Sequence, residues 1–181
     1  MILAFFAEGF EEVEAITPVD YLKRAGVDVK MAGVGGKTIE GAHGIKMLCD
    51  IDAAEISGFD NVDGIILPGG MPGTINLEND KTVQAAIDYC ASENKLIAAI
   101  CAAPSVLGHK NLLSGRRAVC FPGFEADLGD YIPADAFAVT DGNIITAKGA
   151  GSASEFAFEI IAYLCSREKS DEIRKTVQTC Y

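Results

Sequence analysis

The sequence is short of positive charge. Lys and Arg together number 15 against 26 Asp and Glu, which gives a formal net charge of −11. Such a chain repels phosphate backbones and anionic lipid headgroups, so we expect neither nucleic acid nor a membrane surface as a partner. The acidic excess is typical of a solubilising surface.

Long hydrophobic runs are also missing. The apolar stretch 96–107 is interrupted by Pro104 and is much shorter than the roughly 20 residues of a membrane helix. The apolar residues 1–7 carry no basic segment and end at Glu8, which is unlike a secretory signal. We therefore expect a soluble, cytoplasmic protein of one domain, residues 1–181.

The sequence lacks the usual patterns of metal and cofactor sites. Its six cysteines include no C-x-x-C pair, and its only two histidines, His43 and His109, lie far apart. Hydrophobic residues make up 49% of the chain, so a core can form without disulfides. The segment 36–38 ends like a phosphate loop, but Met31 occupies the position of the first glycine. We expect no metal and no cofactor.

Short apolar runs alternate with amphipathic segments along the chain. The pattern predicts strands at 2–7, 27–34, 62–67, 95–100 and 116–120, and a hairpin of 136–140 with 143–147 around Asp141-Gly142. It predicts helices at 11–25, 80–92, 103–113, 152–165 and 170–179, a small hairpin within 36–60 and a loop at 122–135. Pro18 implies a kink in the first helix or a late start.

This order predicts a mostly parallel sheet between two layers of helices, an α/β fold with an added hairpin. In such sheets, ligands bind beyond the carboxyl ends of the strands. The turns at 7–12, 67–74, 100–104 and 147–153 are therefore the places to look for a site.

One cysteine follows a buried strand directly. Residues 95–104 read Lys-Leu-Ile-Ala-Ala-Ile-Cys-Ala-Ala-Pro, which delivers Cys101 into a sharp turn before a helix that Pro104 begins. The partial positive charge of a helix N-terminus stabilises a thiolate. The same spacing fits a buried structural cysteine equally well, so the pattern alone leaves both interpretations open.

The motifs resemble those of the ThiJ/PfpI family, part of the class I glutamine amidotransferase-like superfamily. The matching segments are Glu11-Glu12-Val13-Glu14 before Pro18-Val19-Asp20, Leu67-Pro68-Gly69-Gly70, Ala99 to Pro104, and Gly149-Ala150-Gly151 before Glu155-Phe156-Ala157. They occur in the family's order and span nearly the whole chain. The branch they resemble contains the parkinsonism-associated deglycase/chaperone protein and its bacterial homologues.

The resemblance implies a flavodoxin-like sandwich, usually homodimeric, with Cys101 as the reactive cysteine. Glu14 matches the carboxylic acid that hydrogen-bonds the sulfur, and a buried Glu there should have a raised pKa. The backbone N–H groups of Gly69, Gly70 and Ala102 would form an oxyanion hole. Further pocket residues by resemblance or position are His43, Phe121, Pro122, Gly149 and Gly151.

The sequence differs from the family pattern at two positions. The protease-like branch has a His directly after the nucleophile, where this chain has Ala102, so we do not expect peptidase activity. Several relatives place a His before a Pro on the strand after the elbow helix, where this chain has Phe121-Pro122. A complete Cys-His-acid triad is therefore absent from the residues that align.

Two functions share this site. In the first, Cys101 and Glu14 convert reactive dicarbonyl compounds or their adducts without a cofactor, as a glyoxalase or deglycase does. In the second, a non-enzymatic one, Cys101 is oxidised by peroxide to a sulfinate, and the protein acts as a redox sensor or chaperone. The missing His disfavours fast enzymatic turnover, whereas it does not affect the oxidation of Cys101.

Overall fold

A computed structural model describes residues 1–179 of the chain. Its strands, in chain order, are β1 (Ile2–Ala7), β2 (Val29–Val34), β3 (Thr38–Glu40), β4 (Lys46–Leu48), β5 (Ile51–Asp52), β6 (Gly64–Leu67), β7 (Leu96–Ile100), β8 (Arg117–Ala118), β9 (Ile132–Pro133), β10 (Ala138–Asp141) and β11 (Ile144–Ala147). Seven of them form one sheet in the order β10-β11-β7-β6-β1-β2-β5. Only the β10–β11 pair of that sheet is antiparallel.

Helices cover both faces of this sheet. They are α1 (Glu12–Arg24), α2 (Gly73–Asn79), α3 (Lys81–Ser92), α4 (Pro104–His109), α5 (Ala153–Leu164) and α6 (Arg167–Thr176). Residues of α1, α5 and α6 join one buried apolar cluster, and residues of α2, α3 and α4 join the other. The predicted flavodoxin-like three-layer α/β sandwich is confirmed. Within residues 1–179, no helix has the length and apolar character that a membrane crossing requires.

The first strand shows why its sequence is continuously apolar. Leu3 and Phe5 point into one cluster, while Ala4 and Phe6 point into the other. All four are at most 1% exposed, because successive side chains of a strand face opposite sides of the sheet. Full burial of a Phe side chain stabilises the fold by roughly 1.5–3 kcal/mol.

Both predicted hairpins are present. Strands β3 and β4 pair antiparallel outside the main sheet, and β10 and β11 pair around Gly142. The φ of Gly142 is 60°, a conformation that favours glycine. The first helix begins at Glu12 and runs past Pro18, so the late start is wrong.

Other boundaries differ from the prediction. The strand predicted at 116–120 is only Arg117–Ala118, and it pairs with Ile132–Pro133, inside the predicted loop. The helix predicted at 103–113 ends at His109, because Asn111 takes a φ of 57° and stops it. Helix α2 was not predicted, since of its seven residues only Gly73, Thr74 and Leu77 are buried.

The parallel strands β1, β6, β7 and β11 end at the same edge of the sheet. The turns that follow them are therefore neighbours in space, although they are far apart in the sequence.

Candidate active site

Cys101 lies in a tight turn between β7 and α4. Its φ is 66°, in the left-handed region that costs a non-glycine residue roughly 1–2 kcal/mol. Its N–H donates to the carbonyl of Ala147 at 2.9 Å, and its carbonyl accepts from the N–H of Phe121 at 2.8 Å. These bonds hold the turn to both neighbouring segments and leave the thiol partly exposed at the sheet edge.

Glu14 lies in the first turn of α1 and reaches the same edge. Its N–H donates to the side chain of Glu11, which caps the helix, at 2.7 Å. The Glu14 side chain is only 1% exposed. Its Oε2 accepts from the N–H of Gly69 at 3.0 Å, and the carboxyl group also hydrogen-bonds the N–H of Ala150 and the thiol of Cys101.

The carboxyl and the thiol compete for one proton. Burial raises the pKa of Glu14 from its usual value of 4.5 to about 7, although its hydrogen bond with Cys101 acts in the opposite direction. Burial, followed by the charge of an ionised Glu14, raises the pKa of Cys101 to about 12. Two negative charges are thus strongly disfavoured here, and a thiolate forms readily only while Glu14 carries the proton.

The three predicted backbone donors have different partners. The N–H groups of Gly70 and Ala102 hydrogen-bond Cys101 and act to lower the pKa of its thiol. The N–H of Gly69 instead binds Glu14. A Cβ on Gly69 would lie 2.5 Å from the Cβ of Cys101 and 2.6 Å from Oε2 of Glu14, so a side chain at this position would push the pair apart.

An apolar groove opens beside the pair. We call it the entrance groove; its volume is about 340 Å³, and it is lined by Phe121, Pro122, Phe137, Lys148, Gly149, Ala150, Gly151 and Ser152. Four of these were predicted from the sequence: Phe121, Pro122, Gly149 and Gly151. Phe137 and Lys148 were missed, because only the pairing of β10 with β11 brings residue 137 beside residue 148.

Gly149 connects the entrance groove to Glu14. A Cβ on Gly149 would lie 3.2 Å from the ring of Phe121 and 3.7 Å from Oε1 of Glu14. The ring of Phe121 and the buried carboxyl group of Glu14 therefore both border Gly149. A second cavity, of about 420 Å³, is bordered by Arg117, Thr140, Glu159 and Arg167, and it contains none of the predicted site residues.

His43 is exposed and bound to Glu12. Its Nδ1 lies 2.7 Å from Oε2 of Glu12, and its backbone N–H donates to Oε1 at 2.8 Å. Although burial acts to raise the pKa of Glu12, the hydrogen bonds with His43 bring it below its usual value. Glu12 is only 4% exposed, so a buried acidic group fastens the β3–β4 hairpin to α1.

Donor atoms of Glu11, Glu12 and His43 lie within 4.8 Å of one another, a grouping that the sequence spacing did not suggest. Each already has a protein partner: Glu11 caps α1, and Glu12 binds His43. The other histidine, His109, ends α4 and binds Glu78 through Nδ1 at 2.6 Å. It lies at the far end of the helix that follows Cys101, as its spacing indicates.

Comparison with known proteins agrees with this architecture. Residues 1–163 match the model of the DJ-1/PfpI family. The chain is 36% identical over 183 residues to the protein dj-1beta of Drosophila melanogaster, covering 99% of this chain and 97% of that protein. It is 33% identical over 168 residues to a protein named as a deglycase from Pyrococcus abyssi, covering 90% of this chain and 98% of that protein.

Comparison with a solved structure shows that the fold is also that of the family. The oxidized DJ-1 of Toxoplasma gondii superposes with a TM-score of 0.94 at 30% identity, covering 99% of this chain and 98% of that one. The match extends through the strand, elbow and helix segments that surround Cys101 and Glu14. The chain belongs to the DJ-1/PfpI family.

Proposed function

We propose that the protein converts reactive dicarbonyl compounds or their adducts by cysteine chemistry, in a protective role of the DJ-1 type. The observation that carries this proposal is the contact between the partly exposed thiol of Cys101 and the fully buried carboxyl of Glu14. No cofactor takes part in the proposed reaction. A curated relative that is named as a deglycase supports the same class of substrate.

The proposed reaction begins with a thiolate. The sulfur, stabilised by the N–H groups of Gly70 and Ala102, attacks the aldehyde carbon and forms a C–S bond. The electron pair of the carbonyl moves to oxygen, which takes the proton of Glu14. The products of this step are a hemithioacetal and a Glu14 carboxylate.

Glu14 then acts as the base. Its carboxylate removes the hydrogen of the former aldehyde carbon and returns a proton to the neighbouring carbonyl carbon through an enediol. The aldehyde carbon is thereby oxidised to a thioester, while the neighbouring ketone is reduced to an alcohol. Water hydrolyses the thioester, which releases a 2-hydroxy acid and restores the thiol. Because the oxidation and the reduction occur within one substrate, no external oxidant is needed.

The pKa of Glu14 suits this exchange. A group with a pKa of about 7 both gives and takes a proton near neutral pH. Phe121 stands where several relatives carry a His, so Glu14 is the acid-base group that we assign to the reaction. We also expect a cytoplasmic homodimer, in which His43 lies near the mouth of the site.

Turnover of glyoxal and methylglyoxal tests this function. We expect the wild-type protein to form the 2-hydroxy acid, and Cys101→Ser and Glu14→Ala to lose at least about 99% of kcat/KM. Cys90→Ser is the matched control, since Cys90 is a fully buried thiol on α3. Turnover that persists in Cys101→Ser would overturn the proposal.

One observation favours a second function, peroxide sensing. Cys101 is partly exposed and its sulfur is bound by the N–H groups of Gly70 and Ala102. Cys49, Cys90 and Cys120 are buried, and Cys165, at the C-terminal end of α5, is exposed. A thiolate at Cys101 would displace water from hydrogen peroxide to give a sulfenate, and a second peroxide would give a sulfinate held by the same N–H groups. Mass spectrometry after mild peroxide treatment tests this function, which fails if Cys101 is modified no faster than the buried Cys90 or the exposed Cys165.

A further inference from the structure

The entrance groove contains a single charged side chain. Of its eight lining residues, only Lys148 is ionisable, and the neighbouring walls include the exposed rings of Phe121 and Phe137. The site therefore combines apolar walls with one positive charge, in a chain whose formal net charge is −11. This combination suits an apolar molecule that carries one negative group.

The ammonium group of Lys148 is held in place without an acidic partner. Its Nζ lies 5.8 Å from the centre of the Phe137 ring, within the range of a cation–π contact. Its backbone N–H donates to the carbonyl of Phe137 at 3.0 Å. Among residues 1–179, no carboxylate lies within ion-pair distance of the Lys148 ammonium group, so its charge is available to a bound molecule.

Lys148 is also close to the reacting pair through the backbone. It directly follows Ala147, whose carbonyl accepts the N–H of Cys101 at 2.9 Å. The groove wall continues from Lys148 through Gly149, where a Cβ would approach both Phe121 and Glu14. The entrance groove therefore adjoins the turn that holds Cys101, since Phe121 at the groove and Ala147 next to Lys148 both hydrogen-bond its backbone.

We propose that Lys148 determines substrate specificity by binding a carboxylate on the substrate. The substrate class is then a carbonyl compound with an apolar or aromatic body in the entrance groove, its aldehyde at Cys101 and an anionic group at Lys148. This inference rests on the proposed function, because it takes Cys101 as the reacting group. Small uncharged dicarbonyls would react without the contribution of Lys148.

Two alkylating reagents of matched shape test the proposal at Cys101. 4-(Bromomethyl)benzoate and 4-(bromomethyl)benzamide both lose bromide as the sulfur–carbon bond forms, and they differ in charge at the far end. We expect the ratio of the benzoate rate to the benzamide rate, measured on the Cys101 peptide, to fall roughly fivefold in Lys148→Met. Lys148→Arg should retain most of the wild-type ratio.

The control variant separates local binding from overall charge. Lys175 is exposed on α6, so Lys175→Met removes one positive charge without touching the groove. Its rate ratio should equal that of the wild type. An unchanged ratio in Lys148→Met, or an equal loss in Lys175→Met, would overturn the assignment.

A binding measurement keeps this inference distinct from the proposed reaction. In Cys101→Ser, we expect NMR titration to show tighter binding of 4-methylbenzoate than of 4-methylbenzamide, and this preference should vanish when Lys148→Met is added. Absence of the preference overturns the role of Lys148, whatever the chemistry of Cys101. A preference that is present while glyoxal turnover persists without Cys101 overturns only the proposed reaction.

Discussion

Replacing Gly69 with alanine should damage the site through one added methyl group. The new Cβ would lie 2.5 Å from the Cβ of Cys101 and 2.6 Å from Oε2 of Glu14. Both distances are far below van der Waals contact, and Gly69 itself is buried between them. The methyl group can be accommodated only if the thiol and the carboxyl move apart, which removes the contact that makes them share a proton.

The loss of folding stability in Gly69→Ala can be estimated from packing. Adding a methyl group to a filled interior typically costs about 1–3 kcal/mol, and in a protein of this size each kcal/mol lowers Tm by roughly 2–4 °C. The N–H of Gly69 would also lose its 3.0 Å bond to Glu14, since the carboxyl must retreat. We expect Gly69→Ala to lower Tm by several degrees and to alter the pH dependence of Cys101 alkylation.

Gly151→Ala provides the matched control. This glycine also lines the entrance groove, but a Cβ on it meets no atom within 4 Å. Thermal unfolding and iodoacetamide alkylation at several pH values should be nearly unchanged in this variant. If Gly69→Ala has the same Tm and the same alkylation profile as the wild type, the reasoning from the close approach is wrong.

Two further predictions concern stability. Folding raises the pKa of Glu14 to about 7, so the contribution of Glu14 to folding stability is fully present below about pH 4.5 and is lost as the pH rises through about 7. In urea unfolding, the wild type should therefore lose roughly 2–3 kcal/mol more of its free energy of unfolding than Glu14→Gln does between about pH 5 and pH 8. Equal losses in the two proteins would contradict the raised pKa. Glu12→Ala leaves the N–H groups of His43 and Ile45 without their acceptor, so it should lower the free energy of unfolding by about 1–3 kcal/mol. The exposed Glu93→Ala is its control, and an equal loss in both variants would show that Glu12 does not fasten the hairpin.

The sequence was sufficient to predict the layers of the fold. Continuous apolar runs such as Ile2–Ala7 are produced by burial on both faces of a sheet, so they reveal their strands directly. Helix α2 gives no such signal, because it is short and is tied to the neighbouring turn by contacts such as Asn76 with the carbonyl of Glu8. Those contacts exist only once the chain is folded.

The site was predictable in part. The turn at Cys101 follows from a buried strand that runs into Ala-Ala-Pro, but the pattern could not distinguish a reactive cysteine from a structural one. The contact with Glu14 rested on the family resemblance, since nothing in the local sequence links residue 14 to residue 101. The burial of Glu12 and the position of Lys148 depend on side-chain packing between distant segments, which the resemblance did not include.

In the proposed mechanism, Cys101 and Glu14 share one proton, which Glu14 donates to the thiolate. The most direct test is the alkylation rate of Cys101 measured against pH in the wild type and in Glu14→Gln. Because the coupled pair loses its first proton at a pKa of about 7 and its second only at about 12, a shared proton makes alkylation follow the first step. The account therefore predicts a wild-type apparent pKa below the ordinary value of about 8.5, and a higher pKa in Glu14→Gln, since an amide is the weaker donor. If Glu14 instead rests as a carboxylate beside a thiol, removing its charge would lower the raised pKa of Cys101 and speed alkylation near neutral pH. A faster Glu14→Gln variant, or an apparent pKa at or above about 8.5 in both proteins, would contradict the account.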